Sequence, residues 1–431
     1  MMMNQFELGE DFALIKDARD PLAKFRERFY PPQGTVYLDG NSLGLASLDA
    51  VAAIERVVEE WKELGIRGWL NGQPPWFYYA EQVGALAASL VGARPEEVVA
   101  TGTTTVNIHA LVSTFYARHQ TRTKILADEL TFPTDLYALA GQIEWRGLDP
   151  KEHLVLVSSE DGRTLDEERI VALMDEDVAV ALLPSVLYRS GQLLDMEYLV
   201  REAHRRGIII GFDCAHSVGA LPHRLSDWGV DFAMWCSYKY LNAGPGSTAF
   251  IYLNERHFQC APLLKGWFGY QKDRQFDLAL DFAHEASAGG WQISSPGIFG
   301  IAAAEGALKI HHEAGIERIR QKSIDLTSYL IFLVDEILAK APYRFSIGTP
   351  REPSRRGGHV ALERDSEAMR INEALIAKGF VGDFRPPKTI RIAPVALYCS
   401  YRDVWRTVQC LKEIIDEEGY LKFSEQRKAV S

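Results

Sequence analysis

From residue 124 onward the chain alternates short, almost unbroken apolar runs with stretches of helical period, and this alternation constrains the fold more than any other feature. The runs Lys124–Ala127, Leu154–Val157, Val178–Leu183, Ile208–Phe212, Phe232–Trp235 and Ala249–Leu253 read as strands. Helical patterns near Val106–Ala117, Thr134–Gln142, Glu167–Met174 and Met196–Arg206 lie before or between them. A strand that is apolar at every position has no polar face to turn to water. It must be covered on both sides, so the runs predict an α/β fold with a mainly parallel sheet between helix layers. An earlier helix is predicted over Ser47–Leu64, where Val51, Ile54, Val57, Val58, Trp61 and Leu64 keep helical period and Gly65 suits the end.

The pattern changes near residue 300. Two helical stretches, Ile301–Glu313 and Ile316–Leu338, lead into Gly348–Gly358 (G-T-P-R-E-P-S-R-R-G-G), whose composition predicts an exposed loop. From His359 the strand and helix signals alternate again, as in a smaller α+β unit. Pro31–Pro32 marks the entry of an N-terminal arm. The division expected is an arm at 1–45 that packs with the small domain, a large domain at 46–304 and a small C-terminal domain at 305–431.

Lys and Arg number 47 against 58 Asp and Glu, a net charge of −11. That surplus disfavours nucleic-acid phosphates and anionic membrane surfaces as partners. The cysteines Cys214, Cys236, Cys260, Cys399 and Cys410 are odd in number and include no C-x-x-C. Neither a disulfide framework nor a metal site is expected, and a reducing compartment is. Residues Met1–Asp20 lack the basic and apolar regions of a signal peptide. The apolar run Tyr329–Val334 is far short of the ~20 residues of a membrane span. A cytoplasmic protein acting on a small molecule is the expectation.

The stretch Ile208–His216 (I-I-I-G-F-D-C-A-H) ends a buried strand in Asp213, with His216 three residues on. Ligands of parallel sheets bind beyond such strand ends. A carboxylate there either holds a protonated ring nitrogen or caps the next turn. One strand later comes Ser237-Tyr238-Lys239-Tyr240-Leu241. A lysine between aromatic residues just past a strand is poorly placed as a solvated charge, and desolvation makes it a nucleophile or base. An Asp-x-x-His strand end followed by such a lysine is the arrangement of pyridoxal phosphate enzymes. Thr101-Gly102-Thr103-Thr104-Thr105 precedes a helix and is either a phosphate cradle or a Thr-rich N-cap. Phe132-Pro133-Thr134-Asp135 offers either a stacking ring or a Pro-started helix with a hydrophobic staple. No Walker A and no G-x-G-x-x-G occurs, so a nucleotide site is not supported.

These motifs together resemble the kynureninases, pyridoxal phosphate hydrolases of fold type I. The resemblance covers nearly the whole chain. It rests on Tyr37–Leu45 (Y-L-D-G-N-S-L-G-L), Thr104–His109, Phe132–Asp135, Phe212–His216, Cys236–Gly246, Gly266–Gly269 (G-W-F-G), Gly290–Pro296 and Arg391–Tyr398, in this order. It implies a large domain with a mainly parallel seven-stranded sheet, and a homodimer with shared active sites. It implies that Lys239 holds pyridoxal 5'-phosphate and moves protons. Asp213 pairs the ring nitrogen, His216 supports the ring, and Phe132 stacks on it beside Asp135. Thr104, Thr105 and Tyr238 bind the phosphate side. Trp267 and Ser295 reach the cofactor from the neighbouring subunit. Arg391 grips the substrate α-carboxylate, with Ser42 and Asn41 in the turn bordering the pocket. Tyr238 is the candidate acid–base residue, and Trp69, Trp267 and Phe268 form a slot for the aryl ring. The reaction implied is hydrolysis of L-kynurenine to anthranilate and L-alanine.

The chain departs from the family pattern in places. Ser295 stands where members often have Asn, and Tyr270 where many have His. Pro184 and Ser185 replace a small polar pair near the cofactor, so neither is given a role. Trp69 stands where a bulky indole would crowd a ring hydroxyl, which favours kynurenine over 3-hydroxykynurenine. The rival readings are a cysteine desulfurase, desulfinase or class V aminotransferase of the same fold, and a catalytically silent binding protein on it. A metal hydrolase is disfavoured, because His311-His312-Glu313 lacks H-E-x-x-H spacing and reads as a polar helix face.

Overall fold

The computed structural model describes residues 6–119 and 121–426; of the segment Met1–Asp20, residues 1–5 lie outside it. Seven strands form the central sheet: Val98–Ala100 (β1), Lys124–Asp128 (β2), Leu154–Val157 (β3), Val178–Pro184 (β4), Ile209–Asp213 (β5), Phe232–Trp235 (β6) and Phe250–Leu253 (β7). Their order is β1-β7-β6-β5-β4-β2-β3. All neighbours from β6 to β3 are parallel, and β7 runs antiparallel to both β6 and β1. The mainly parallel seven-stranded α/β fold is therefore present. The strand missing from the sequence reading is β1, three residues long and too short to show a pattern.

β4, β6 and β7 are buried at every position, as strands covered on both faces must be. The helices Thr104–Arg118, Pro133–Trp145, Met196–Arg205 and Ile298–Ala314 contribute buried residues to the same core. Register sets Pro184 opposite Asp213 and Asp213 opposite Met234. The ends of β4, β5 and β6 therefore open at one edge, with Asp213 central.

A second core joins the N-terminal segment to the C-terminal one. Ala13, Leu22, Phe25, Phe29, Val36 and Leu38 pack with Leu326, Leu330, Ile371, Ile392 and Leu411. Val36–Tyr37 pairs in parallel with Phe380–Val381. Four antiparallel strands, Ser346–Ile347 (β8), Val360–Glu363 (β9), Asp383–Arg385 (β10) and Thr389–Ile392 (β11), lie in the order β10-β11-β9-β8. Asp383 sits directly opposite Arg391 in that register.

Three expectations are corrected. The helix from Ile316 ends at Leu333 and loosens into a π-turn over Val334–Leu338. The segment Gly348–Gly358 is not a wholly exposed loop. Arg356 turns inward, 1% exposed, and donates to Thr327, Ser328 and the Arg351 carbonyl. Arg320 ties down the Pro353 and Arg356 carbonyls. His311 is not on a polar face: it is fully buried and bonds the carbonyls of Ala307 and Tyr240. Among the described residues no helix is long and apolar enough to cross a membrane.

Candidate active site

A cavity of about 290 Å³ opens at the carboxyl edge of the sheet. Its lining brings together Ser42, Thr104, Thr105, Phe132, Asp213, His216, Tyr238, Lys239 and Arg391 of the expected residues, with Asn41 beside them. They come from six separate parts of the chain.

Asp213 ends β5, and its Oδ1 accepts from the Ala215 N–H at 2.8 Å. It therefore makes the turn-capping bond as well as facing the cavity. Burial raises its pKa, with the Lys239 ammonium opposing. Lys239 follows β6, and its Nζ lies 3.1 Å from His216 Nε2. Burial first, and the Lys239 and Arg391 charges next, push the His216 pKa well down. A neutral imidazole is the result. Tyr238 is pushed up by burial and by Cys236, so its hydroxyl stays protonated.

The turn at residues 40–44 is locked against this segment. Gly44 N–H donates to the Tyr238 carbonyl at 2.7 Å. A Cβ at Gly44 would stand 2.3 Å from the Lys239 carbonyl oxygen, so only glycine fits that approach. On the other wall, Thr104 and Thr105 open the helix Thr104–Arg118. Gly102 turns the chain into it at φ +60°, and its missing Cβ makes room for Asn107 Oδ1. Thr105 Oγ1 lies 2.8 Å from Thr134 Oγ1. Phe132 is half exposed, with the Tyr188 ring edge-on at 5.4 Å.

Arg391 closes the far end. It is 1% exposed. Its Nε donates to Asp383 Oδ1 at 2.7 Å, and Nη2 to Asp383 Oδ2. Nη2 also reaches Ser42 Oγ at 3.0 Å, and Nη1 reaches the Tyr188 carbonyl at 2.7 Å. Asn41, with its amide turned to satisfy both ends, donates to Asp39 and accepts from Arg391 Nη1 at 3.3 Å. Although burial works to raise the Asp383 pKa, the Arg391 hydrogen bonds and charge hold it below the usual range.

Five expected residues are not in the cavity wall. Asp135 lies buried behind it, with Oδ2 accepting from Thr131 at 3.0 Å and Oδ1 unpartnered. Burial and the Asp213 charge push its pKa well up. Trp69 and Phe268 pack on each other at 5.8 Å in a cluster with Trp76 and Phe77. Trp267 is 44% exposed. Ser295 lines a separate hollow with Thr103, Val106 and Gly297. Sequence reasoning missed Tyr188, Thr134, Ala215 and Arg385, all of which line the cavity.

Residues 319–411 match the kynureninase C-terminal domain model, and residues 36–361 match that of class-V aminotransferases. Kynureninase from Geobacillus thermodenitrificans is 53% identical over 421 residues, 98% of each chain. The chain belongs to the kynureninase family. Kynureninase from Bacillus cereus is 51% identical over the full length of both chains. Solved structures carry the same fold at much lower identity. A cysteine desulfurase from Thermococcus onnurineus superposes with a TM-score of 0.77 at 18% identity, covering 96% of this chain and all of the other. A C-DES variant with glycine covalently linked to its PLP cofactor gives 0.76 at 16% identity, covering 90% and 98%.

The kynureninase cavity here has the chemistry that such a cofactor needs. A half-buried carboxylate, Asp213, faces inward without a carboxylate's usual set of donors. An amine, Lys239, makes no ion pair among the described residues and stands in the same wall. The unpartnered Nδ1 of His216 and Oδ1 of Asp135 are buried beside them. The helix start at Thr104–Thr105 offers N–H groups and hydroxyls to an anion.

Asp39 makes this site sensitive to pH. Burial first, and the Asp383 charge second, raise its pKa to about 7, against the opposing pull of Ser42 and Arg391. Above that pH its charge appears beside the arginines. We expect KM for a carboxylate substrate to rise above pH about 7, and Asp39→Asn to flatten the rise. The folded pKa exceeds the unfolded value of 3.8, so Asp39 stabilises fully below that value and loses its contribution as pH rises to about 7. The stability gained by Asp39→Asn should grow from pH 3.8 to about 7 and then level off, as melting curves across pH will read.

Proposed function

We propose that the cavity around Lys239 hydrolyses the Cβ–Cγ bond of an L-kynurenine-type amino acid. Substrate and water give an anthranilate-type acid and L-alanine, with pyridoxal 5'-phosphate as cofactor. The observation that carries this is one cavity holding Lys239, Asp213 and the Thr104–Thr105 helix start, with Arg391 and Ser42 at its far end. The chain around it is about half identical to kynureninases throughout its length.

The cofactor supplies an aldehyde carbon for the substrate amine and a ring that stores an electron pair. Lys239 would hold it through its amine, and the same amine, once free, would take the substrate Cα proton. The neutral His216, 3.1 Å away, accepts from the lysine and steers its amine. Asp213 would hold the ring nitrogen of that group, whose proton would supply a counter-charge against the burial that raises its pKa. Phe132 and Tyr188 would bound the ring, and Thr104 and Thr105 would take the phosphate at the helix start. Tyr238 keeps its proton at neutral pH and can deliver it to Cβ as the bond breaks. Help of this kind is worth roughly 10²–10⁴-fold.

A second copy completes the site in this reading. Leu263, Trp267, Phe276, Leu278 and Leu280 are exposed, and Trp267 packs on Phe276 at 5.7 Å. Exposed aromatic and aliphatic groups in one segment suit self-association. Trp267, Ser295, Trp69 and Phe268 would then serve the partner's cavity, with Trp69 favouring the unhydroxylated ring. The five free cysteines, four of them buried, fit the cytoplasm as the compartment.

Desulfurase chemistry is disfavoured at four of the five thiols, and the fifth, Cys260, does not line the cavity. Burial pushes Cys214 and Cys399 up to about 12 and Cys410 up to about 11, and raises Cys236 as well. A thiol held protonated is a poor nucleophile. The test is to give the holoenzyme equal kynurenine and 3-hydroxykynurenine and follow fluorescent product and alanine. Equimolar anthranilate and alanine are expected, faster than the hydroxylated pair. Alanine without any anthranilate would refute the reading.

A further inference from the structure

A second hollow, of about 390 Å³, shares no lining residue with the cavity around Lys239. Arg320, on the helix Ile316–Leu333, forms part of its wall. Arg320 Nη2 donates to the Pro353 carbonyl at 2.7 Å and to the Arg356 carbonyl at 2.9 Å, and Nη1 reaches the Gly357 carbonyl at 3.5 Å. All three acceptors are neutral. Nε and one hydrogen of Nη1 are left without an acceptor among the described residues. Burial pushes the Arg320 pKa down to about 10, and no carboxylate opposes it.

The groups nearby do not supply the missing anion. Arg356 is buried as well, donates to neutral oxygens, and is pushed down by burial and then by the Arg320 charge, with Glu352 opposing. Arg355 is paired with Glu167. His223, in the same wall, is neutral, because burial pushes its pKa down to about 4 and the Arg320 charge adds to the shift. Asp195 and Glu197 also line the hollow, but they are exposed, where salt and water screen them, and Asp195 Oδ1 accepts from the Tyr198 N–H. A guanidinium withdrawn from water is ordinarily paired with a carboxylate or another anion. Much of the remaining wall is apolar: Leu194, Met196 and Leu221 are buried, and Trp228 is half-buried.

We propose that this hollow is a second ligand site, one that takes a small carboxylate with an apolar body, such as an aromatic acid. The carboxylate meets the free N–H groups of Arg320, and the body lies against Met196, Leu221 and Trp228. The site stands apart from the reaction read above, and its test does not depend on that reaction.

Benzoate, its neutral counterpart benzamide and the ringless acetate are titrated by calorimetry into the holoenzyme and its Arg320→Gln and Ser354→Glu variants. Ser354 is an exposed residue of the same wall, so the second variant sets a carboxylate near Arg320 without disturbing the core. The parent should bind benzoate at least about tenfold more tightly than benzamide or acetate. Arg320→Gln should weaken benzoate by about 10- to 100-fold, since a charged hydrogen bond is lost, and should leave benzamide within about threefold. Ser354→Glu should weaken benzoate too, by offering Arg320 a competing carboxylate, while kcat and KM for kynurenine stay at the parent values. No binding at about 10 mM benzoate, or binding that both variants leave intact, would overturn the proposal. So would benzamide or acetate bound as tightly as benzoate.

Discussion

Lys239→Ala is expected to end turnover while leaving the fold in place. The amine is the group in the cavity able both to bond an aldehyde carbon and to carry a proton. Removing it should cost at least the roughly 10²–10⁴-fold typical of a positioned proton carrier, with the covalent anchor lost in addition. Its absence should also show without any substrate, because the cofactor would wash out on gel filtration instead of staying bound. Stability should change little. Lys239 makes no ion pair among the described residues, and its polar contact is the single one to His216 Nε2. A variant that kept even about a tenth of parent turnover would move the proton-carrying role elsewhere, and Tyr238 would be the group to examine next.

What could be read in the sequence follows from which interactions are local. β4 and β6 are apolar throughout and flanked by turns, so their residues announce a covered sheet. Asp213 was legible because it ends the apolar strand β5, and Lys239 because it follows β6. The cradle was legible because Thr104 and Thr105 begin a helix of marked pattern. Arg391 was legible only through family resemblance: as one arginine on a strand it carries no mark of its own. Its meaning comes from Asp383 across the ladder and Ser42 nearly 350 positions away, which no local pattern records. Tyr188 was missed because part of its work is done by its backbone carbonyl, a group every residue has. The loop at 348–358 was misread for the same reason. Its Arg356 turns inward to acceptors on the helix Ile316–Leu333, distant in sequence.

Arg391→Ala should be the most destabilising single change in the site. The guanidinium and the Asp383 carboxylate are 1% and 2% exposed, and the Arg391 hydrogen bonds and charge hold the Asp383 pKa below its usual range against burial. Removing one partner of a buried pair leaves the other charge unmatched, at a cost of about 3–5 kcal/mol. Arg385 remains in contact with Asp383 and softens the loss, so the lower end is expected. Against a typical total stability of about 5–15 kcal/mol that is a large fraction, and the denaturation midpoint should fall clearly. The same change frees the Tyr188 carbonyl and Ser42, so KM should rise too. Asp383→Asn in the same chain separates the two effects, because it removes the stranded charge without restoring the frame. The double variant should regain part of the lost stability and none of the lost affinity. If it regains both, the guanidinium matters only as a counter-charge to Asp383. If Arg391→Ala melts with the parent, the pair contributes nothing net, and the carboxylate end of the cavity must be held by its backbone alone.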